Sequence, residues 1–312
     1  MKKILLLISA CALLSCALSC QKQPEAAVPA ADAYAAVTLE ATAPQSLVTR
    51  AAAATGLDDG SYLDCVTVLV FQNEGGERTY LDLPYSVQKK NDQFTIHLSL
   101  LKGQDPNGVR VYDVVILASS SSNSYFTLKA DKDDLPTGVL TMDADIPLNT
   151  ANTDFLWGYK QVTVDAKKGQ IKNELTLVRP LAQVNLLATK PETESFSVSM
   201  AITGVPQSLD LFTGETTGDG TATFAKTTRI AAGTVLDAQD DDVKNTMWVA
   251  SAYVLAPQAG PSNIRLDWEV THGADTYNGS TVESKTQPTI QRGYRTNIIT
   301  GNIFSNVPAN LD

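Results

Sequence analysis

Histidine is nearly absent. The chain has two, His97 and His272, far apart, and neither stands beside a second residue of metal-ligand type. No H-E-x-x-H, G-x-S-x-G, phosphate loop or dinucleotide fingerprint occurs, so the common metallo-, acyl-transfer and nucleotide chemistries lack their local signatures. Cysteine is as scarce. Of four, Cys11, Cys16 and Cys20 crowd the N-terminus and only Cys65 lies in the body. One cysteine cannot form an intramolecular disulfide, and inside "DCVTVLVF" it reads as a small buried apolar residue. Positive charge is in deficit: 24 Lys and Arg against 34 Asp and Glu give a net charge of -10. Such a chain repels nucleic acid and anionic membrane surfaces. No stretch sustains a helical period over three turns.

The remaining polar candidates are weak as chemistry. The run "DAQDDD" (Asp237, Asp240, Asp241, Asp242) lacks the spaced geometry of a calcium loop and reads as a solvated acidic loop. The pairs Asp58/Asp59 and Asp133/Asp134 lie in turn-like sequence. Trp157, Trp248 and Trp268 are candidates for a sugar platform. Trp268 alternates with charged residues and Trp248 sits in "MWVASAYVL", so both are expected in the core. His97 falls on the polar side of its run, as a surface histidine does. The expectation is a protein that is not an enzyme and holds no cofactor or metal.

What the chain does have begins at its N-terminus. "MKK" followed by "ILLLISACALL" is a positive region and an apolar stretch too short to span a bilayer. "SCALSC" then offers two cysteines after small residues, the pattern of a bacterial lipoprotein signal. Cys20, followed directly by polar "QKQPE", is the expected lipid site, with Cys16 as the alternative. Residues 1-19 are thus the signal peptide. Residues 20-36, rich in Ala and Pro, read as a flexible tether.

From residue 37 the pattern has period two. Val37, Leu39, Ala41 and Ala43 alternate with Thr38, Glu40 and Thr42, a half-buried strand. "FTIHLSLL", "FSVSMAI" and "NIRLDWEV" alternate in the same way, and "VYDVVILAS" is a continuous apolar run suited to the middle of a sheet. Turn clusters such as "QNEGGER", "GQDPNG" and "QAGPSN" separate them. Many short strands with frequent turns imply an all-β, sandwich-class chain. Its 312 residues suit about two domains. The joint is expected where Pro180 interrupts "ELTLVRPLAQVNLL", giving domains 37-178 and 179-312.

"LVRPLAQVNLLAT" and the closing "QRGYRTNIITGNIF" resemble the fimbrillin superfamily, the type V pilins and related lipoproteins of Bacteroidales. "ITGVPQSLDLFTGETTG" is similar to that family's second-domain segment and "YDVVILAS" to its first-domain central strand. The resemblance implies two transthyretin-like β-sandwich domains in tandem and a lipid anchor in the outer membrane at the cell surface. It implies that a trypsin-like surface protease cuts between Arg50 and Ala51 in "SLVTRAAAATG". The strand carrying Val37, Leu39, Ala41 and Ala43 then leaves with the lipid, and another fimbrial subunit fills the groove by strand exchange. This scheme needs a first strand held in a groove with Arg50 on an exposed loop; threading through a sheet with Arg50 buried breaks it. Only "SNVPANLD" follows the last clear strand, where shaft pilins carry further donor strands. A tip, an anchor, or a non-polymerising surface lipoprotein binding a glycan or host ligand is the alternative.

Overall fold

The computed structural model describes residues 33–43, 63–103, 108–123, 125–143, 146–148, 151–189, 195–229, 246–282 and 287–304. Cys16, Cys20, Arg50, Ala51, Asp58, Asp59 and the acidic run from Asp237 lie outside them. The described residues form strands joined by turns and loops, with a 3-10 turn at Ala151–Thr153. The strands are β1 (Tyr34–Thr42), β2 (Cys65–Glu74), β3 (Glu77–Leu81), β4 (Tyr85–Lys90), β5 (Gln93–Leu101), β6 (Val109–Ser119), β7 (Phe126–Ala130), β8 (Pro136–Met142), β9 (Ile146–Pro147), β10 (Phe155–Asp165) and β11 (Gln170–Thr176). After Pro180 come β12 (Leu181–Ala188), β13 (Phe196–Val205), β14 (Ser208–Asp210), β15 (Thr216–Thr217), β16 (Gly220–Arg229), β17 (Met247–Leu255), β18 (Ser262–Asn263), β19 (Arg265–His272), β20 (Asp275–Ser280), β21 (Thr289–Ile290) and β22 (Arg295–Thr300).

In the first half, one sheet has the order β11-β1-β5-β4 and a second β10-β6-β2-β3. Their facing sides share one apolar core, with Leu39 and Ile96 from the first sheet and Val68, Val114 and Ile116 from the second. β6 is the continuous apolar run, and it sits between two partners, as a strand buried on both faces should. In the second half, β17-β12-β22 faces β20-β19-β13-β16-β9 across a core that includes Val184, Val198, Leu266 and Ile298. The described residues are therefore essentially all-β and sandwich-type.

Pairing does not stop at residue 178. β8 pairs with β14, Leu140 opposite Leu209, in a sheet of order β15-β14-β8-β7. β9 runs parallel to β16, Ile146 opposite Phe224. A third apolar cluster joins Phe71, Val115 and Phe155 to Leu181, Leu211 and Tyr253. The segment β7–β9 thus belongs by sequence to the first half and by pairing to the second. β1 also starts at Tyr34, inside the stretch that composition assigns to the tether.

The loop after β14 locks this junction. Trp157 Nε1 donates to the Leu211 carbonyl at 3.0 Å, and Arg292 Nη2 donates to the Gly214 carbonyl at 2.5 Å. Phe212 stands edge-on to Phe71 at 4.9 Å, with the Arg78 guanidinium 4.0 Å over its ring. Gly138, at φ 79°, leaves room for that ring: a Cβ there would come within 2.2 Å of it. Below Arg78 lies Asp113, fully buried on β6. Its carboxylate accepts from Arg78 Nε (2.6 Å), Tyr159 OH (2.7 Å), Asn73 Nδ2 (2.8 Å) and Gln161 Nε2 (3.1 Å). Burial opposes its ionisation, but these four donors outweigh burial and hold its pKa below the ordinary value. Burial, and then the bond to Asp113, push the Tyr159 hydroxyl up to about 12.

Candidate functional site: the slot of the first strand

The alternation that marks β1 in the sequence decides what it buries. Ala35, Val37, Leu39 and Ala41 are at most 1% exposed, and Ala43, one residue past the strand, is 9% exposed. Thr38, Glu40 and Thr42 point the other way, because successive side chains of a strand take opposite faces. The inward row closes the first core, between β5 and β11.

β1 is an inner strand. It runs antiparallel to β5, from Tyr34 opposite Leu101 to Thr42 opposite Gln93. On its other side it runs parallel to β11, from Ala36 opposite Gln170 to Thr42 opposite Thr176. The ladder continues beyond the strand at both ends. The Lys102 amide donates to the Ala33 carbonyl at 2.9 Å, the Leu177 amide to the Thr42 carbonyl at 2.8 Å, and the Ala43 amide to the Asp92 carbonyl at 2.8 Å. β11 is itself the edge of this sheet, paired only with β1 among the described strands. β1 therefore fills a slot with a neighbour on either side and a core beneath it.

Side chains line that slot by size. Ala41 lies opposite Phe94 on β5 and Leu175 on β11. Leu39, the largest inward residue of the strand, lies opposite Ile96 and Asn173. Val37 lies between Leu98 and Ile171, and Ala35 opposite Leu100. Ala41 thus stands between two bulky neighbours, and Leu39 where one of the two is Asn173. On the outer face the Glu40 carboxylate meets Lys172 Nζ at 2.8 Å, and Thr38 Oγ1 lies 3.2 Å from His97 Nδ1. The hydrogen bond and charge of Glu40 raise the Lys172 pKa above its ordinary value.

The other candidates fall as follows. His97 is exposed and bonded to β1 rather than to any catalytic partner. His272 stacks on Phe304, ring centroids 4.7 Å apart. Asp133 and Asp134 lie in the turn after β7, where the Asp131 carboxylate accepts the Asp133 and Leu135 amides. Cys65 is half-buried rather than buried. Trp157 and Trp268 are 9% and 5% exposed. Trp248 is half-buried rather than core, its Nε1 donating to Ser251 Oγ at 2.7 Å. None of the three tryptophans is an exposed platform. A groove of about 750 Å³ lies over β13, β19 and β20, with Asp267, Glu269 and Asn278 in its lining. Among the described residues, no group of three or more His, Cys, Asp or Glu could hold a metal ion. No described helix is long and apolar enough to cross a membrane.

The sequence pattern marked β1, but it missed the two side chains that give the slot its shape, Phe94 and Leu175. Each is legible as the apolar side of its own strand; only the register places both beside Ala41.

A family model described as a family of unknown function, DUF6562, matches residues 29–310. No curated protein matches the chain. Among solved structures it is similar to a fimbrial assembly protein from Parabacteroides distasonis, at 13% identity over 86% of this chain and 91% of that one, with a TM-score of 0.41. It is also similar to the fimbrial anchor protein Mfa2 from Porphyromonas gingivalis, at 12% identity over 77% of this chain and 78% of that one, with a TM-score of 0.43.

Proposed function

We propose, for a chain that belongs to the family of unknown function DUF6562, that it is a structural or adhesive subunit of cell-surface fimbriae. In this reading it reaches the outer membrane as a lipoprotein anchored through Cys20, with Cys16 as the alternative. A trypsin-like surface protease cuts between Arg50 and Ala51. The strand bearing Val37, Leu39, Ala41 and Ala43 is then released, and its slot takes a strand from another subunit. The two halves are read as transthyretin-like sandwiches.

One observation carries the reading: β1 is paired on both sides, its inward row closes the core, and it is the first strand among the described residues. Loss of an inner strand uncovers unpaired backbone groups on β5 and β11 together with an apolar trough, a template for strand addition. A first strand can leave after one cut, because only one connection ties it to the rest of the fold. Its departure breaks two ladders, to β5 and to β11, and leaves the edge strand β11 without a partner among the described strands. An inner position satisfies half of the condition that breaks the scheme; the other half, a buried Arg50, concerns a residue outside those described.

The second reading is an anchor, tip or free surface lipoprotein that keeps its first strand in the slot. Mass spectrometry of surface-sheared material separates the two. An N-terminus at Ala51 in high-mass, SDS-resistant assemblies supports the subunit. An acylated N-terminal cysteine on a monomer that retains residues 33–43 overturns polymerisation.

A further inference from the structure

The slot has a shape as well as a location, and its shape limits what can occupy it. At position 41 the two flanking side chains, Phe94 and Leu175, are both large, and the occupant is alanine. At position 39 one flank is Asn173, and the occupant is leucine. At position 35 the flank is Leu100, and the occupant is again alanine. A packed core tolerates neither a missing nor an added branch. On the outer face Lys172 meets an acid at position 40.

Resting on the strand-exchange reading above, we propose that the slot selects its partner by this size pattern in one register. The donor is an extended segment of a second subunit with a small residue at the position of Ala35, a β-branched residue at Val37, leucine at Leu39 and a small residue at Ala41. An acidic residue at Glu40 adds a minor preference. An alternating apolar strand of the wrong order is rejected even when its composition is the same. A slide by one residue turns the apolar row outward. A slide by two sets leucine between Phe94 and Leu175.

The test uses the full chain cut by limited trypsin digestion after Arg50, with exchange of the retained first strand followed by native mass spectrometry. The competitors are peptides of residues 33–43: the parent sequence, one with Leu39 and Ala41 interchanged, Leu39→Ala, Ala41→Leu and Glu40→Lys. The parent is expected to displace β1. Leu39→Ala is expected to compete at least about 30-fold more weakly, and Ala41→Leu about 5- to 150-fold more weakly. The interchanged peptide should fail by more than either. Glu40→Lys should lose only about two- to fivefold. Equal competition by all five overturns the size rule and leaves strand exchange standing. Retention of β1 against every peptide overturns both. The rule also has a reading that needs no exchange: in the uncut chain Ala41→Leu should lower the urea midpoint, and an unchanged midpoint overturns the rule.

Discussion

β1 and β22 lie near opposite ends of the chain and occupy opposite kinds of place. β1 has a partner on either side, whereas β22 pairs only with β12 among the described strands. Four of the nine residues of β1 are buried and apolar; of the six in β22, only Ile298 is. Both run parallel to a strand distant in sequence, β1 to β11 and β22 to β12. A terminal strand at an edge adds to a sheet that already exists. A terminal strand inside a sheet completes it, so the first half depends on a segment that one cut can free.

The largest expected effect follows from that difference. Excision of residues 1–44 removes Val37, Leu39 and three buried alanines, on the order of 5–8 kcal/mol of gross apolar burial. That is comparable to the whole stability of a domain, about 5–15 kcal/mol. The first half is expected to lose its near-UV circular dichroism and to regain it when a peptide of residues 33–43 is added. Ile298→Ala, the corresponding loss at β22, is expected to cost about 2–5 kcal/mol in urea unfolding. If excision costs no more than Ile298→Ala, the two ends do not differ as described.

The halves also differ in their buried polar groups. One network of the first half centres on a buried charge, Asp113, under four donors; one of the second is the neutral set of buried Asn185 and Ser251 with half-buried Asn297, Asn185 Nδ2 donating to Asn297 Oδ1 at 2.9 Å. Asp113→Ala removes the acceptor shared by Arg78, Tyr159, Asn73 and Gln161; because Arg78 is partly exposed and water can reach it, the expected cost is about 1–3 kcal/mol by urea midpoint. Acid should act on the same group. Its folded pKa lies below the ordinary aspartate value of about 3.9. Its contribution is therefore complete above that value and is lost as pH falls through the lower folded one. Tyr159 acts at the other extreme: the unfolded hydroxyl ionises near 10 while the folded one holds its proton to about 12, so stability falls as pH rises through that window. A Tyr159→Phe chain should lack this alkaline decline. Neither dependence is expected from the second network, which carries no charge.

Much of this was legible in sequence and some was not, for physical reasons. Period-two alternation betrays a half-buried strand wherever it sits, so Val37 to Ala43 and the strands around Phe94, Val198 and Leu266 could be read directly. Pro180 lies between β11 in one sheet and β12 in another. The start of β1 at Tyr34 was hidden because alanines suit a tether as well as a tight slot. The capture of β7–β9 by the second half was hidden because alternation says which face is buried, not which strand lies alongside. The lone Asp113 in "YDVVILAS" gave no warning of its network, since its partners stand 35 to 48 residues away.

The junction offers a smaller break. Phe212→Ala empties the space between Phe71, Arg78 and Gly138. For this half-buried ring the expected cost is about 2–3 kcal/mol, below the 3–5 of a fully buried phenylalanine. The calorimetric trace is the sharper readout. If β7–β9 and this loop couple the halves, the wild type unfolds in one transition and Phe212→Ala separates it into two. Two transitions already present in the wild type would mean that the halves are energetically independent despite their shared sheet.

The smallest effect is expected at the rim of the slot, and there the comparison becomes quantitative. Glu40 meets Lys172 at 2.8 Å, yet the lysine side chain is 61% exposed. Water and salt screen such a pair, so Glu40→Ala should change stability only slightly, and by less as salt rises. Leu39, one residue away and facing inward, should cost several times more when cut to alanine. A large, salt-sensitive loss at Glu40 with a small one at Leu39 would mean that charge on the outer face, not apolar fit, holds the first strand in place.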